Sequence, residues 1–187
     1  MGTYRVTFNQ VKTAALSTLM VGSTTVLSQN AAFVSAGRME VRSDTGDIFR
    51  LQKGVDFRIE ETPEGAQPAV YGEIFGIIIQ AWPKYTTSCH SCRLHASPPL
   101  QLLIRPSSQH PNTDEYFLLS GEMIVHDFDE NGRHFTICNL HEGEKSLINY
   151  DPALSVGPKR YSARVMSMTS SEYDYVIKNY LDPRHWN

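Results

Sequence analysis

The sequence is poor in cysteine, tryptophan and positive charge. Three cysteines in 187 residues, Cys89, Cys92 and Cys138, are too few for a disulfide framework, and the odd number leaves at least one thiol outside any intrachain bridge. Lys and Arg total 17 against 20 Asp and Glu, for a net charge of −3, and the basic residues are scattered. Without a basic field the chain is not expected to hold nucleic acid. No apolar run reaches the roughly 18 residues of a membrane-spanning helix, so direct membrane insertion by a helix is not expected. A Gly-rich phosphate loop, a nucleophile elbow and an HExxH helix are also missing, which removes the commonest local signatures of catalysis. The one leader-like stretch, 14–21, is short, broken by Ser17 and Thr18, and follows the strand-like YRVTF. It reads as folded structure rather than an export signal. Localisation stays open, with the cytoplasm as default and a periplasmic or other extracytoplasmic site also compatible.

What is present is ordinary globular composition, 41% hydrophobic and 20% charged, arranged in short β-prone segments. Tyr4, Val6 and Phe8 alternate with polar neighbours, and further strands are expected at 24–27, 32–34, 39–42, 48–51 and 56–59. A helix or strand is expected at 11–20, a loop at 61–68, a β-prone run at 69–80 and a buried strand at 100–104. The stretch from Asn112 to Ile148 organises the rest. Two strand runs flank Asp129-Glu130-Asn131-Gly132, and Asn-Gly predicts a tight hairpin turn. A second turn follows at His141-Glu142-Gly143-Glu144, then a returning strand at 146–148. Strands this short, at this spacing, predict an all-β sandwich or β-roll, jelly-roll-like in kind.

Near the end the period changes. Tyr173, Val176, Ile177 and Tyr180 fall at i, i+3, i+4 and i+7, the stripe of a short amphipathic helix. Ser171 is the expected cap, with Asp174 three residues on. Asp182-Pro183 is the expected stop, and Trp186 is expected to pin the end. The predicted organisation is a β domain over 1–168 and a C-terminal helix over 169–187 docked on it.

Leu19, Val21, Gly22, Val26, Gly46, Leu51, Phe57 and Ile59 stand in the register of a recurring phrase of turn glycines and inward strand residues. Tyr71-Gly72-Glu73-Ile74-Phe75-Gly76 follows as a further strand phrase. Leu119-Ser120-Gly121-Glu122-Met123-Ile124-Val125 and Leu140-His141-Glu142-Gly143-Glu144-Lys145 close it. Taken in order, these pieces resemble a FecR-like domain over most of residues 19–148. The resemblance implies a non-catalytic β module acting in signalling through protein contacts, with a protein partner or self-association. It does not extend to the family regulator's N-terminal anti-sigma segment or membrane span, nor to the C-terminal helix.

Three groups of residues are candidates for chemistry or binding. Cys89-His90-Ser91-Cys92 with His95 nearby suits incidental thiols, a disulfide, or two thiolates and an imidazole on a structural zinc. No other cofactor is expected. His110 and Glu115, ahead of Ser120-Gly121-Glu122, resemble the first motif of a metal-binding cupin of dioxygenase or isomerase type. In that reading both would aim at one iron or manganese inside a barrel. Ser108 replaces the first histidine of that motif, and no histidine lies between residues 150 and 165 to supply its second half. The third group is the hairpin's outer face, Glu122, Ile124, His126 and His134, taken as the ligand- or partner-binding surface. His126 and His134 straddle the turn, where solvent-facing positions are the expectation.

Overall fold

A computed structural model describes residues 4–9, 24–26, 31–33, 38–43, 48–62, 65–71, 75–79, 85–89 and 92–182. The expected helix or strand at 11–20, the leader-like stretch and Trp186 lie outside these residues. The described chain is all-β with one short C-terminal helix. Its strands are β1 (Tyr4–Asn9), β2 (Thr24–Val26), β3 (Ala31–Phe33), β4 (Arg38–Ser43), β5 (Ile48–Gln52), β6 (Asp56–Thr62), β7 (Gly65–Tyr71), β8 (Phe75–Ile79) and β9 (Tyr85–Cys89). Then come β10 (Cys92–Pro106), β11 (Thr113–Phe128), β12 (His134–His141), β13 (Glu144–Tyr150), β14 (Tyr161–Ser167) and helix α1 (Ser170–Val176). The region 61–68, expected as a loop, is mostly strand: β6 and β7 pair antiparallel with Ile59 opposite Pro68. Pro68 is tolerated because β6 is the only strand paired with β7 among the described residues, so no ladder on its other side needs the missing N–H.

β10 and β11 are 15 and 16 residues long and set the architecture. The first part of β10 pairs with β9 and with the second part of β11, which in turn pairs with β12. The second part of β10 pairs with β8 and with the first part of β11, which pairs with β13. From there the ladder runs outward to β14 on one side and through β8, β5, β4, β1 and β2 on the other. The two halves meet at a corner. The β10–β11 register shifts between Ser97 and Gln101, and Gly121 sits opposite with φ +93°. An added Cβ at Gly121 would lie 2.4 Å from the Pro99 carbonyl oxygen, so only glycine lets the two backbones come this close.

Folding at that corner brings the two halves face to face over one core. Leu94, Ala96, Met123, Val125 and Leu140 belong to the same buried cluster as Leu102, Ile104, Tyr116, Leu118 and Ile148. Phe49 of β5 and Phe57 of β6 join it with ring centroids 5.2 Å apart. The opposite face of the β10–β11 ladder is also covered. Leu103, Phe117 and Leu119 are buried against Val176 and Leu181 of the C-terminal helix. Double coverage explains why Tyr116-Phe117-Leu118-Leu119 is apolar without a break, where a half-exposed strand would alternate.

The helix starts two residues earlier than Ser171 implies. Thr169 is the cap: its hydroxyl accepts from the Glu172 backbone N–H, and the Glu172 carboxylate accepts from the Thr169 N–H at 2.9 Å, a reciprocal capping box. Glu172 also pairs with Lys145 of β13, which fastens this end to the sheet and holds the carboxyl below its usual range. The last turn, 177–181, widens so that the Asp182 N–H reaches the Ile177 carbonyl five residues back. This rotation leaves Ile177 38% exposed and turns Leu181 into the core in its place. The Leu181 carbonyl accepts from Arg50 of β5, whose guanidinium also holds Glu40 of β4 at 2.8 Å in a buried ion pair. A contact spanning 131 residues therefore secures the end of the helix.

Candidate functional site

The outer face of the corner's first half carries the expected binding residues, and the hairpin connection decides which neighbours they meet. The connection is not a two-residue turn: the strands end at Phe128 and resume at His134. Gly132 alone of the loop residues has positive φ, at 72°, and its N–H donates to the Asp129 carbonyl at 2.9 Å. The Asp129 carboxylate accepts from the Asn131 and Arg133 N–H groups at 2.9 and 2.8 Å, so side-chain chemistry at Asp129 builds the loop. Further along, the register shifts between Val125 and His126, which adds one residue to β12. That bulge reverses the parity of β12. His134 and Thr136 point outward before it, and Asn139 and His141 point outward after it.

Glu122 and Ile124 therefore face Asn139 and His141 across one ladder and His95 and Ser97 across the other. Together these six line an open groove of about 200 Å³. Ile124 is 38% exposed in its floor, and Glu122 and His141 approach to 3.7 Å at one side, both largely in solvent. The groove thus offers one apolar contact, an amide, a hydroxyl, a carboxylate and two imidazoles. β12 pairs with β11 along one edge, and no strand among the described residues pairs with its other edge.

His126 departs from the solvent-facing expectation. It lies on the outer face yet is only 6% exposed, because the tilted His134 ring covers it with centroids 4.4 Å apart and Phe128 meets it edge-on at 6.1 Å. Its Nδ1 has no hydrogen-bond partner. Burial, reinforced by His134, His95 and Arg93, lowers its pKa to about 4. The two imidazoles meet diagonally, since the direct cross-strand partners are Thr136 for His126 and His134 for Phe128.

Of the cysteine group, Cys92 and His95 lie on opposite faces of β10. Cys89 and Cys92 are cross-strand partners closing the β9–β10 hairpin, and the Cys89 side chain lies outside the described residues. Cys92 points into the core, with Sγ 3.0 Å from the Tyr116 hydroxyl, while His95 stands on the outer face three residues on. Residues three apart on a strand project to opposite sides, so one ion cannot take both. Cys138 is buried near Ser146, and burial pushes its thiol up to about 11. Among the described residues no three His, Cys, Asp or Glu side chains are placed to share a metal ion.

The cupin pair fares no better geometrically. Glu115 sits on β11, with one carboxylate oxygen 2.7 Å from Arg105 Nε and the other accepting from the Ser107 hydroxyl at 3.1 Å. Arg105 is itself stacked over Phe117 and Tyr175, so the pair ties the sheet to the helix. His110 lies on the exposed β10–β11 loop, at the rim of an open surface depression with Asn149 and Arg164. Neither residue points into an enclosed barrel interior. Sequence reasoning missed Asn139 and Ser97 as groove residues and Arg93 as a neighbour of His126. Only the bulge and the corner bring them there, and neither has a one-residue signature.

The fold is shared with a known structure. A candidate anti-sigma factor from Parabacteroides distasonis superimposes with a TM-score of 0.54 at 10% identity, over 80% of this chain and 65% of that one. The chain thus spans about two thirds of that protein's length. No family model matches the sequence, and no curated protein matches it. At such low identity the likeness is one of fold.

Proposed function

We propose that this chain is a non-catalytic, FecR-like regulatory module that relays a signal by binding a protein partner on the outer face of β10, β11 and β12. The observation that carries the reading is the groove floored by Ile124 beside an edge strand, β12, with an open side among the described residues. An incoming extended segment can add backbone hydrogen bonds along such an edge while its side chains enter the groove. The fold shared with a candidate anti-sigma factor supports a regulatory role, and a second copy of the chain is the other occupant of the same chemistry. The division into a β unit over 1–168 and a helical tail over 169–187 belongs to the same proposal.

The test is complementation in the native host, with the transcript profile as readout. Loss of the chain shifts a defined set of transcripts, and the wild type and His110→Ala restore them. Ile124→Asp, which places a charge in the groove floor without touching the core, fails to restore them. Restoration by Ile124→Asp, or its loss in His110→Ala, overturns the reading.

A further inference from the structure

We propose that the end of the β11–β12 hairpin, residues 126–136, is an acid-released clasp whose trigger is His126. The clasp is a ring cluster on the outer face. His126, Phe128 and His134 contact one another with centroids 4.4, 5.9 and 6.1 Å apart, and the Arg93 guanidinium of β10 lies 5.1 Å above Phe128. Together with the Arg93–His126 ladder pair and the Asp127 and Phe135 contacts to Tyr161 of β14, these contacts hold the hairpin end in place. The cluster favours a neutral His126. Its ring is buried and its Nδ1 faces no acceptor, so a proton there meets neither water nor a hydrogen-bond partner.

The charges around it are of the wrong sign to receive that proton. β10 contributes Arg93 and His95, β12 contributes His134, and β11 contributes one acid, Asp127. Asp127 is already engaged, accepting from the Tyr161 hydroxyl of β14 at 2.7 Å. Protonation therefore adds a positive group beside Arg93, in a cluster whose one carboxylate is committed. Swinging the hairpin end outward hydrates the imidazolium and separates it from Arg93. The β10–β11 ladder ends at the Arg93–His126 pair, and the β11–β12 ladder shifts register between Val125 and His126, so the opening has a natural limit. Inward of that point Val125, Cys138 and Leu140 stay in the core.

The sign follows from linkage. His126 titrates near 4 in the closed state and near 6.5 once exposed, so closure is fully favoured above pH 6.5 and is progressively lost as pH falls toward 4. Hydrogen exchange across the hairpin tests this, after correction for the intrinsic pH dependence of exchange. Between pH 7 and 4.5 the opening equilibrium at residues 126–136 is expected to rise by about fifty- to a hundred-fold, while residues 116–118 stay protected. In His126→Phe, which keeps a ring without a titrating nitrogen, the rise disappears. An equal rise in the variant, no rise in the wild type, or simultaneous loss of protection at 116–118 overturns the proposal. NMR titration of the wild-type histidines gives a second reading that needs no variant. His126 titrating well below the exposed histidines supports the clasp, and an ordinary titration near 6.5 overturns it.

Discussion

Gly121 shows how one residue fixes the sheet's shape. Its backbone occupies the left-handed region that side chains resist, and its missing Cβ makes room for the Pro99 carbonyl. Gly121→Ala meets both obstacles at once, a strained φ and a 2.4 Å clash with backbone that cannot rotate away. Denaturant unfolding is expected to show a loss of at least about 2 kcal/mol. A change below 0.5 kcal/mol would mean that the corner does not depend on this close approach. By contrast Gly132 has open space where a Cβ would go, and its role is confined to the hairpin loop. The sequence marks Gly121 as a break in alternation, yet it does not say what approaches there. Pro99 is 22 positions away, and only the paired register brings it opposite.

At the scale of elements, the C-terminal helix was legible in its existence and stop but not in its cap or its final turn. Ser171 with Asp174 and Thr169 with Glu172 are both acceptable cap patterns. The second prevails because Glu172 can reach Lys145 as well as the Thr169 N–H. Thr169→Ala is expected to lower stability by about 1 kcal/mol, and Ser171→Ala by less than half of that, in matched thermal or denaturant melts. Equal losses would restore Ser171 as the cap. The displaced stripe has a different cause. A 3.6-residue period places Ile177 inward, but the wider turn over 177–181 takes more residues to come round. Leu181, five on from the buried Val176, returns to the covered face, while Ile177 is 38% exposed. Arg50 donates to the Leu181 carbonyl at the end of this turn, a tertiary contact that no local pattern announces. The hairpin tells the same story: its existence was readable from Asp129 to Gly132, while the bulge that sets its outward residues was not.

For the whole molecule, the all-β class followed from strand-length runs separated by turn residues, and the unbroken apolar stretch 116–119 was a readable sign of a strand covered on both faces. Which strands pair was not readable. β12 and β13 are joined by two residues yet pair with different halves of β11, because the chain crosses the corner between them. The proposed binding surface inherits that difficulty. Of the four expected residues Glu122 and Ile124 line the groove, which exists only where His95 and Ser97 of β10 and Asn139 and His141 of β12 flank them; His126 and His134 form the ring cluster beside it. The proposed function rests on this surface.

Site-directed photocrosslinking in the native host tests that claim most directly. A photoreactive side chain is placed at Ile124 in one variant and at Leu154 in another, two positions with the same 38% exposure. The account predicts a discrete protein adduct from position 124, formed either with a partner or with a second copy, and none from position 154. No adduct at 124, or the same adducts from both positions, would contradict it.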